Sequence, residues 1–199
     1  MLGVMEDPRD QHRYTPHFCE ENIWWLAWTL RNDGVAMSAM RIWLFSNADA
    51  SVALLNQRAA PVGGVMAWDY HVVLVVEQGG RRRVFDFDTR LAFPSVASDY
   101  LANAFPPQRQ LPGKWRTWVR EIPAAAYLSR FYSDRRHMQG HVPASAFPDY
   151  PPIKPQDRRR AIPLANYRDM SRDLDDGSVV MSLEQLLELE RCAAGKLLQ

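Results

Sequence analysis

The 199-residue chain is long enough to bury one real core, and 47% hydrophobic with 24% charged residues is an ordinary globular composition. A formal charge of +1 gives no net electrostatic case for nucleic acid or an anionic membrane. No apolar run approaches the ~20 residues of a membrane span, and two cysteines are too few for a disulfide framework.

A single domain over 1–199 is expected, in a reducing, cytoplasmic setting. The opening MLGVMEDPRDQ lacks the basic-then-apolar order of a secretory signal. Residues 1–14 are polar and are expected to be loose. From Cys19, CEENIWWLAWTLRN reads as a helix: Ile23, Ala27 and Leu30 share a face that Trp24 and Trp28 widen. Glu20 and Glu21 fall in its first turn, where the helix dipole favours carboxylates, and Asn32-Asp33-Gly34 ends it. RIWLFS (41–46) fits either a short strand or a helix end. Apolar runs on both sides of Gly79-Gly80 predict a β-hairpin over 70–89. A short helix is expected at 98–105, a strand at 115–122 and a helix at 124–132. Residues 140–163 hold many of the prolines and read as an extended surface loop. The chain closes on a leucine-faced helix that Ser182 and Gln185 open as a capping box. The class is α+β, a mostly antiparallel sheet flanked by helices. Arg81-Arg82-Arg83 and Arg158-Arg159-Arg160 read as solvated turns.

The hairpin carries the chemistry. With Gly79 and Gly80 as the turn, 78 faces 81, 73 faces 86 and 71 faces 88. His71, Asp86 and Asp88 then project to one face, and Val72, Leu74, Val76, Phe85 and Phe87 to the other. Buried carboxylates are costly unless paired, so an imidazole beside either aspartate is the natural solution. A histidine oriented by a carboxylate suggests nucleophilic catalysis once a nucleophile joins it. Cys19 is the candidate, because a helix start and a nearby imidazolium are expected to lower its pKa. Cys19 as a small buried hydrophobe, with His71 in a purely structural pair, is the competing reading. Cys192 lies on the leucine-rich helix and is better explained by packing. Metal readings are weak: His137 and His141 lack the glutamate of HExxH, and His12, His17 and Cys19 lack a fourth ligand. No metal and no cofactor are expected.

Several fragments together resemble the protein N-terminal glutamine amidohydrolases, a family named for a WDYHV motif that stands here as Trp68-Asp69-Tyr70-His71-Val72. They are CEENIW (19–24), FSN (45–47), DFDTRLAFP (86–94) and YLSRFYSDRRHM (127–138). The resemblance implies a papain- and transglutaminase-like cysteine hydrolase core. It makes Cys19 the nucleophile, His71 the general base and acid, and Asp86 rather than Asp88 the orienting carboxylate. The implied reaction releases ammonia from the side chain of an N-terminal glutamine through a thioester. Glutamate made this way would feed an N-degron pathway where one exists, in the cytoplasm or, in a eukaryote, the nucleus.

A free N-terminus must be read by an acid, and Glu20, Glu21, Asp69 and Asp88 are the carboxylates nearest the triad, Asp69 being preferred. Trp68 and Tyr70 can wall the pocket. The expected partners are proteins or peptides with N-terminal glutamine, and a monomer is expected. The rivals are a deamidase or transglutaminase acting on internal glutamines and a non-catalytic N-terminus-binding domain.

Overall fold

The computed structural model describes residues 7–196, with side chains from 7 to 193. The first helix, α1 (Cys19–Asn32), runs over the predicted residues and ends at Asp33, with Gly34 at a φ of 93°. Ile23, Leu26 and Ala27 are its buried stripe, while Trp28 faces outward.

RIWLFS resolves as strand β1 (Met40–Ser46), in the middle of the sheet. It is apolar on both faces, so no periodicity in the sequence could choose between strand and helix. A small ribbon follows, β2 (Val52–Leu55) with β3 (Val65–Trp68), which the sequence reading lacked. The hairpin strands are β4 (Tyr70–Gln78) and β5 (Arg81–Phe85). Their register is the predicted one, with Gln78 opposite Arg81 and Leu74 opposite Phe85. Regular pairing stops at Phe85, so Asp86 and Asp88 leave the ladder instead of continuing it.

Then come β6 (Ser95–Val96), α2 (Ala97–Ala104), β7 (Trp118–Pro123), α3 (Ala124–Arg130) and β8 (Phe131–Tyr132). β9 (Ile162–Pro163), α4 (Leu164–Arg168), β10 (Val179–Ser182) and α5 (Leu183–Lys196) complete the order. Six strands form one sheet in the order β10-β7-β1-β4-β5-β6, with antiparallel neighbours throughout.

Each sheet face has its own core. Ile42, Leu44, Val72, Leu74 and Phe87 pack with α1, α3 and α4. Trp43, Phe45, Val73, Val75 and Val84 pack with Tyr100 and Leu101 of α2 and Leu183 and Leu186 of α5. The expectation that one hairpin face is polar is thereby corrected. His71 pairs with Phe45 on that second face, at the end of an apolar layer.

Three further expectations change. Arg9 lies in a 3-10 turn (Pro8–Gln11) and donates to the Thr89 and Leu91 carbonyls at 3.0 and 2.7 Å, so this part of the polar N-terminal stretch is tied down. Residues 1–6 lie outside the described residues. Segment 140–163 is pinned by buried Ile153 and Ile162, by an Ile153 carbonyl that accepts from the Ser133 amide at 2.9 Å, and by β8–β9 pairing. Arg82 is no solvated turn residue: it lies over the Trp43 ring, donates to Glu190 at 2.7 Å and pairs with Glu121. The capping box is present in both directions, Ser182 N to Gln185 Oε1 at 2.8 Å and Gln185 N to Ser182 Oγ at 3.2 Å.

Candidate active site

Cys19 is the first residue of α1 and lines a cleft of about 450 Å³ at the end of β4. His71, Trp68, Asp69, Tyr70 and Asp88 line the same cleft. At least two other surface grooves, of about 440 and 560 Å³, are of similar size, but neither is lined by a cysteine or a histidine. Chemistry, not volume, singles out the site.

Beneath the cleft wall, His71 Nε2 lies 3.0 Å from Asp86 Oδ1, with both residues at most 2% exposed. The oxygen sits off the ring's N–H direction, so the contact is an ion pair rather than a straight hydrogen bond. Asp86 is held from two other sides: Oδ1 accepts the Asp88 amide at 2.9 Å and Oδ2 accepts the Tyr100 hydroxyl at 2.9 Å. Ligand atoms of His71, Asp86 and Asp88 fall within 4.8 Å of one another. The hairpin register therefore delivers its three polar side chains to one place even though the ladder ends early. Asp88 Oδ1 accepts the Tyr14 hydroxyl at 2.6 Å.

Burial dominates the electrostatics. It pushes the His71 pKa down, but the Asp86 charge and hydrogen-bonding contact, with Asp88 adding, more than offset this and hold it above the ordinary value. Asp86 is driven up by burial and further down by the His71 charge, and ends below the ordinary carboxylate value. The pair thus favours imidazolium and carboxylate. Asp88 is raised by burial and by the neighbouring Asp86 charge.

Cys19 departs from the expectation of a lowered pKa. Burial, followed by the Glu20 and Asp88 carboxylates, pushes the thiol well up, while the Val72 backbone amide pulls it the other way. Burial, with the Glu20, Asp88 and Asp86 carboxylates adding, disfavours the thiolate. The resting thiol is neutral.

A family model described as N-terminal glutamine amidase matches residues 14–190. The chain belongs to this family. It is 37% identical over 134 residues to a human protein named protein N-terminal glutamine amidohydrolase, an alignment covering 66% of this chain and 65% of that one. Relatives of the same name in Arabidopsis thaliana and Drosophila melanogaster are 35% identical over 171 residues and 34% over 173. Those alignments cover 79% and 83% of this chain, and 77% and 82% of the relatives.

The family is one of enzymes, and its frame sorts the acids and aromatics at the site. Trp68, Asp69, Tyr70 and Asp88 reach the same cleft as Cys19, Asp69 as an exposed residue. The Trp68 indole N–H is buried with no acceptor among the described residues. Glu20 lies behind the thiol and does not line the cleft. Glu21 is corrected outright as an ammonium reader. Its carboxylate accepts from Arg135 Nε and Nη2 at 2.7 and 2.6 Å and from the Ser133 hydroxyl, so it is fully spent inside the protein. This also accounts for the Ser133–His137 stretch: two members anchor α1, while His137 lines the cleft with Nδ1 2.6 Å from the Asp134 carbonyl. Sequence reasoning missed Tyr100, Tyr14, His17 and Arg168. Tyr100 and Arg168 arrive from elements distant in the chain, while Tyr14 and His17 lie just before Cys19 in a segment without regular periodicity to show which way they face.

Proposed function

We propose that this chain hydrolyses the side-chain carboxamide of glutamine at the N-terminus of a protein or peptide, with Cys19, His71 and Asp86 as its triad. The observation that carries the reading is the meeting of Cys19 and the His71–Asp86 pair at one cleft, in a chain the amidase family model covers from 14 to 190. Deprotonated Cys19 attacks the carboxamide carbon. Backbone N–H groups of the first turn of α1 receive the oxyanion, as orphan donors at a helix start do. His71, held charged by Asp86, protonates the leaving nitrogen through Nδ1, and ammonia departs. Neutral His71 then takes a proton from water, which hydrolyses the thioester to glutamate. No metal or cofactor enters these steps. The papain- and transglutaminase-like core is part of this proposal, in keeping with a helix whose first residue meets an antiparallel strand.

The free α-ammonium is read by carboxylates in the cleft. Asp88 is the better placed, because it is partly buried and already carries the repulsion of Asp86, which a cation relieves. Asp69 stands exposed on the same cleft and adds a second negative charge.

Ammonia release tests this. A Gln-initiated peptide is turned over, the same peptide acetylated at its N-terminus is not, and an Asn-initiated peptide is slower by roughly 10²-fold because its carboxamide falls one methylene short. Cys19→Ala abolishes release and Cys192→Ser preserves it. Equal rates on the acetylated peptide would instead assign the chain to internal glutamines.

A further inference from the structure

Glu20 is a carboxylate that the triad does not use, and it is 1% exposed. Its Oε2 accepts the Cys19 S–H at 3.8 Å and the Tyr70 O–H at 2.8 Å. Tyr127 of α3 donates to its backbone carbonyl at 3.1 Å, which fixes the residue from the opposite side. Neither Lys nor Arg pairs with the Glu20 carboxylate among the described residues; Arg135 is taken by Glu21 and Arg168 lies over the Tyr70 ring. A buried carboxylate without a cation and in contact with a nucleophile is an arrangement that folding alone does not favour.

The triad leaves a matching gap. His71 lies against Asp86 with Asp88 close by, and these carboxylates favour its charged form, so a separate acceptor for the thiol proton lets it stay protonated.

Resting on the functional reading above, we propose that Glu20 is the base that deprotonates Cys19, so that His71 stays protonated for the leaving ammonia. In acylation the S–H bond breaks and an O–H bond forms on Glu20. The sulfur lone pair makes the S–C bond, and the His71 N–H proton leaves with the amide nitrogen as ammonia. His71 is then neutral and Glu20 protonated. In deacylation His71 takes a proton from the attacking water, the S–C bond breaks, and the departing sulfur recovers its proton from Glu20. Both groups return to their starting states with no proton left over. Burial pushes the Glu20 pKa up to about 7, against the Tyr70 hydrogen bond and with the Glu21 charge adding, so the group can both take and return a proton near neutral pH.

The test uses the full chain carrying Cys192→Ser, which leaves Cys19 as its one thiol. Glu20→Gln keeps an acceptor for the Tyr70 hydroxyl but cannot hold the proton. Turnover is expected to fall by ~10²–10⁴-fold, and the acid limb centred near pH 7 is expected to vanish. Iodoacetamide should alkylate Cys19 at pH 8 at least as fast as in the parent, because a neighbouring negative charge has gone. Turnover close to the parent's, or turnover and alkylation falling together, overturns the proposal. If Glu20→Gln does not fold, Tyr70→Phe decides. Losing the hydroxyl that favours ionised Glu20 should move the acid limb to higher pH, and an unmoved limb overturns the assignment. A parent that releases no ammonia from Gln peptides overturns the functional reading instead. The alkylation arm then still reports on Glu20, and a thiol titration unchanged by Glu20→Gln overturns the contact itself.

Discussion

Two aspartates sit beside one histidine, and their hydrogen bonds separate them. Asp86 is fixed by the Tyr100 hydroxyl and the Asp88 amide and meets Nε2, whereas Asp88 is held by Tyr14 and opens onto the cleft. Asparagine at an orienting position keeps the shape but favours the wrong tautomer, a change worth ~10⁴-fold in the serine-protease triad. Asp86→Asn is therefore expected to lower kcat on that order with little change in Tm. Asp88→Asn should raise KM for a Gln-initiated peptide more than it lowers kcat, because it removes binding that the ground state shares with the transition state. Steady-state kinetics on both variants checks the pair, and the reverse pattern would exchange their roles.

α1 has to present the thiol at a fixed height above the strand, and buried polar anchors set that height. Glu21 ties its first turn to the segment after β8 through Arg135 and Ser133, and the Asn22 side chain brackets the Thr15 backbone with two bonds of 2.8 Å. The Glu21 carboxylate is inaccessible and Arg135 only 11% exposed, so solvent screening is weak. Arg135→Ala leaves that carboxylate buried without its cation. A loss of about 3–5 kcal/mol in urea unfolding is expected, as for a broken buried pair. A loss below about 1 kcal/mol, the scale of exposed pairs, would show that water reaches Glu21. Further along the same sheet face, Arg120 plays a related part. Its guanidinium donates to the Tyr167, Asp169 and Arg172 carbonyls and to Ser178 Oγ, pinning the loop between α4 and β10.

Over the whole molecule, several buried groups titrate away from their ordinary values, so stability depends on pH in a definable direction. Glu20 is raised from 4.5 to about 7, and its contribution is complete below pH 4.5 and lost as pH rises through about 7. Raised Asp88 acts in the same direction, from an ordinary value of 3.8 upward. His71 is raised too, so its stabilisation is complete below 6.5 and fades as pH passes its folded value. Asp86 is lowered and acts the other way, contributing above 3.8 and losing that contribution in acid. Unfolding free energy should therefore decline between pH 5 and 8, and Glu20→Gln should flatten the part below pH 7. Urea denaturation across that range checks it; parallel curves for parent and variant would show that Glu20 does not titrate in the window. No helix among the described residues is long and apolar enough to cross a membrane.

The local rules in the sequence determined a good deal: α1 from its apolar stripe and first-turn acids, the hairpin register from Gly79-Gly80, the capping box at Ser182, and the gathering of His71, Asp86 and Asp88 at one point. Each depends on neighbours a few residues apart or directly across a tight turn, where backbone geometry leaves little choice. The family and the identity of Cys19, His71 and Asp86 as candidates were likewise legible, because the motifs survive as short strings. Other features were decided only by the tertiary structure. β1 became a central strand because both its faces are covered, which periodicity cannot express. Glu21 went to Arg135 across more than a hundred residues of chain, and Glu20 came to rest under the thiol. Tyr100 found Asp86, and the thiol itself was driven to the neutral form. Those outcomes turn on desolvation and on which charges meet in space, and both are properties of the packed molecule rather than of any stretch of the chain.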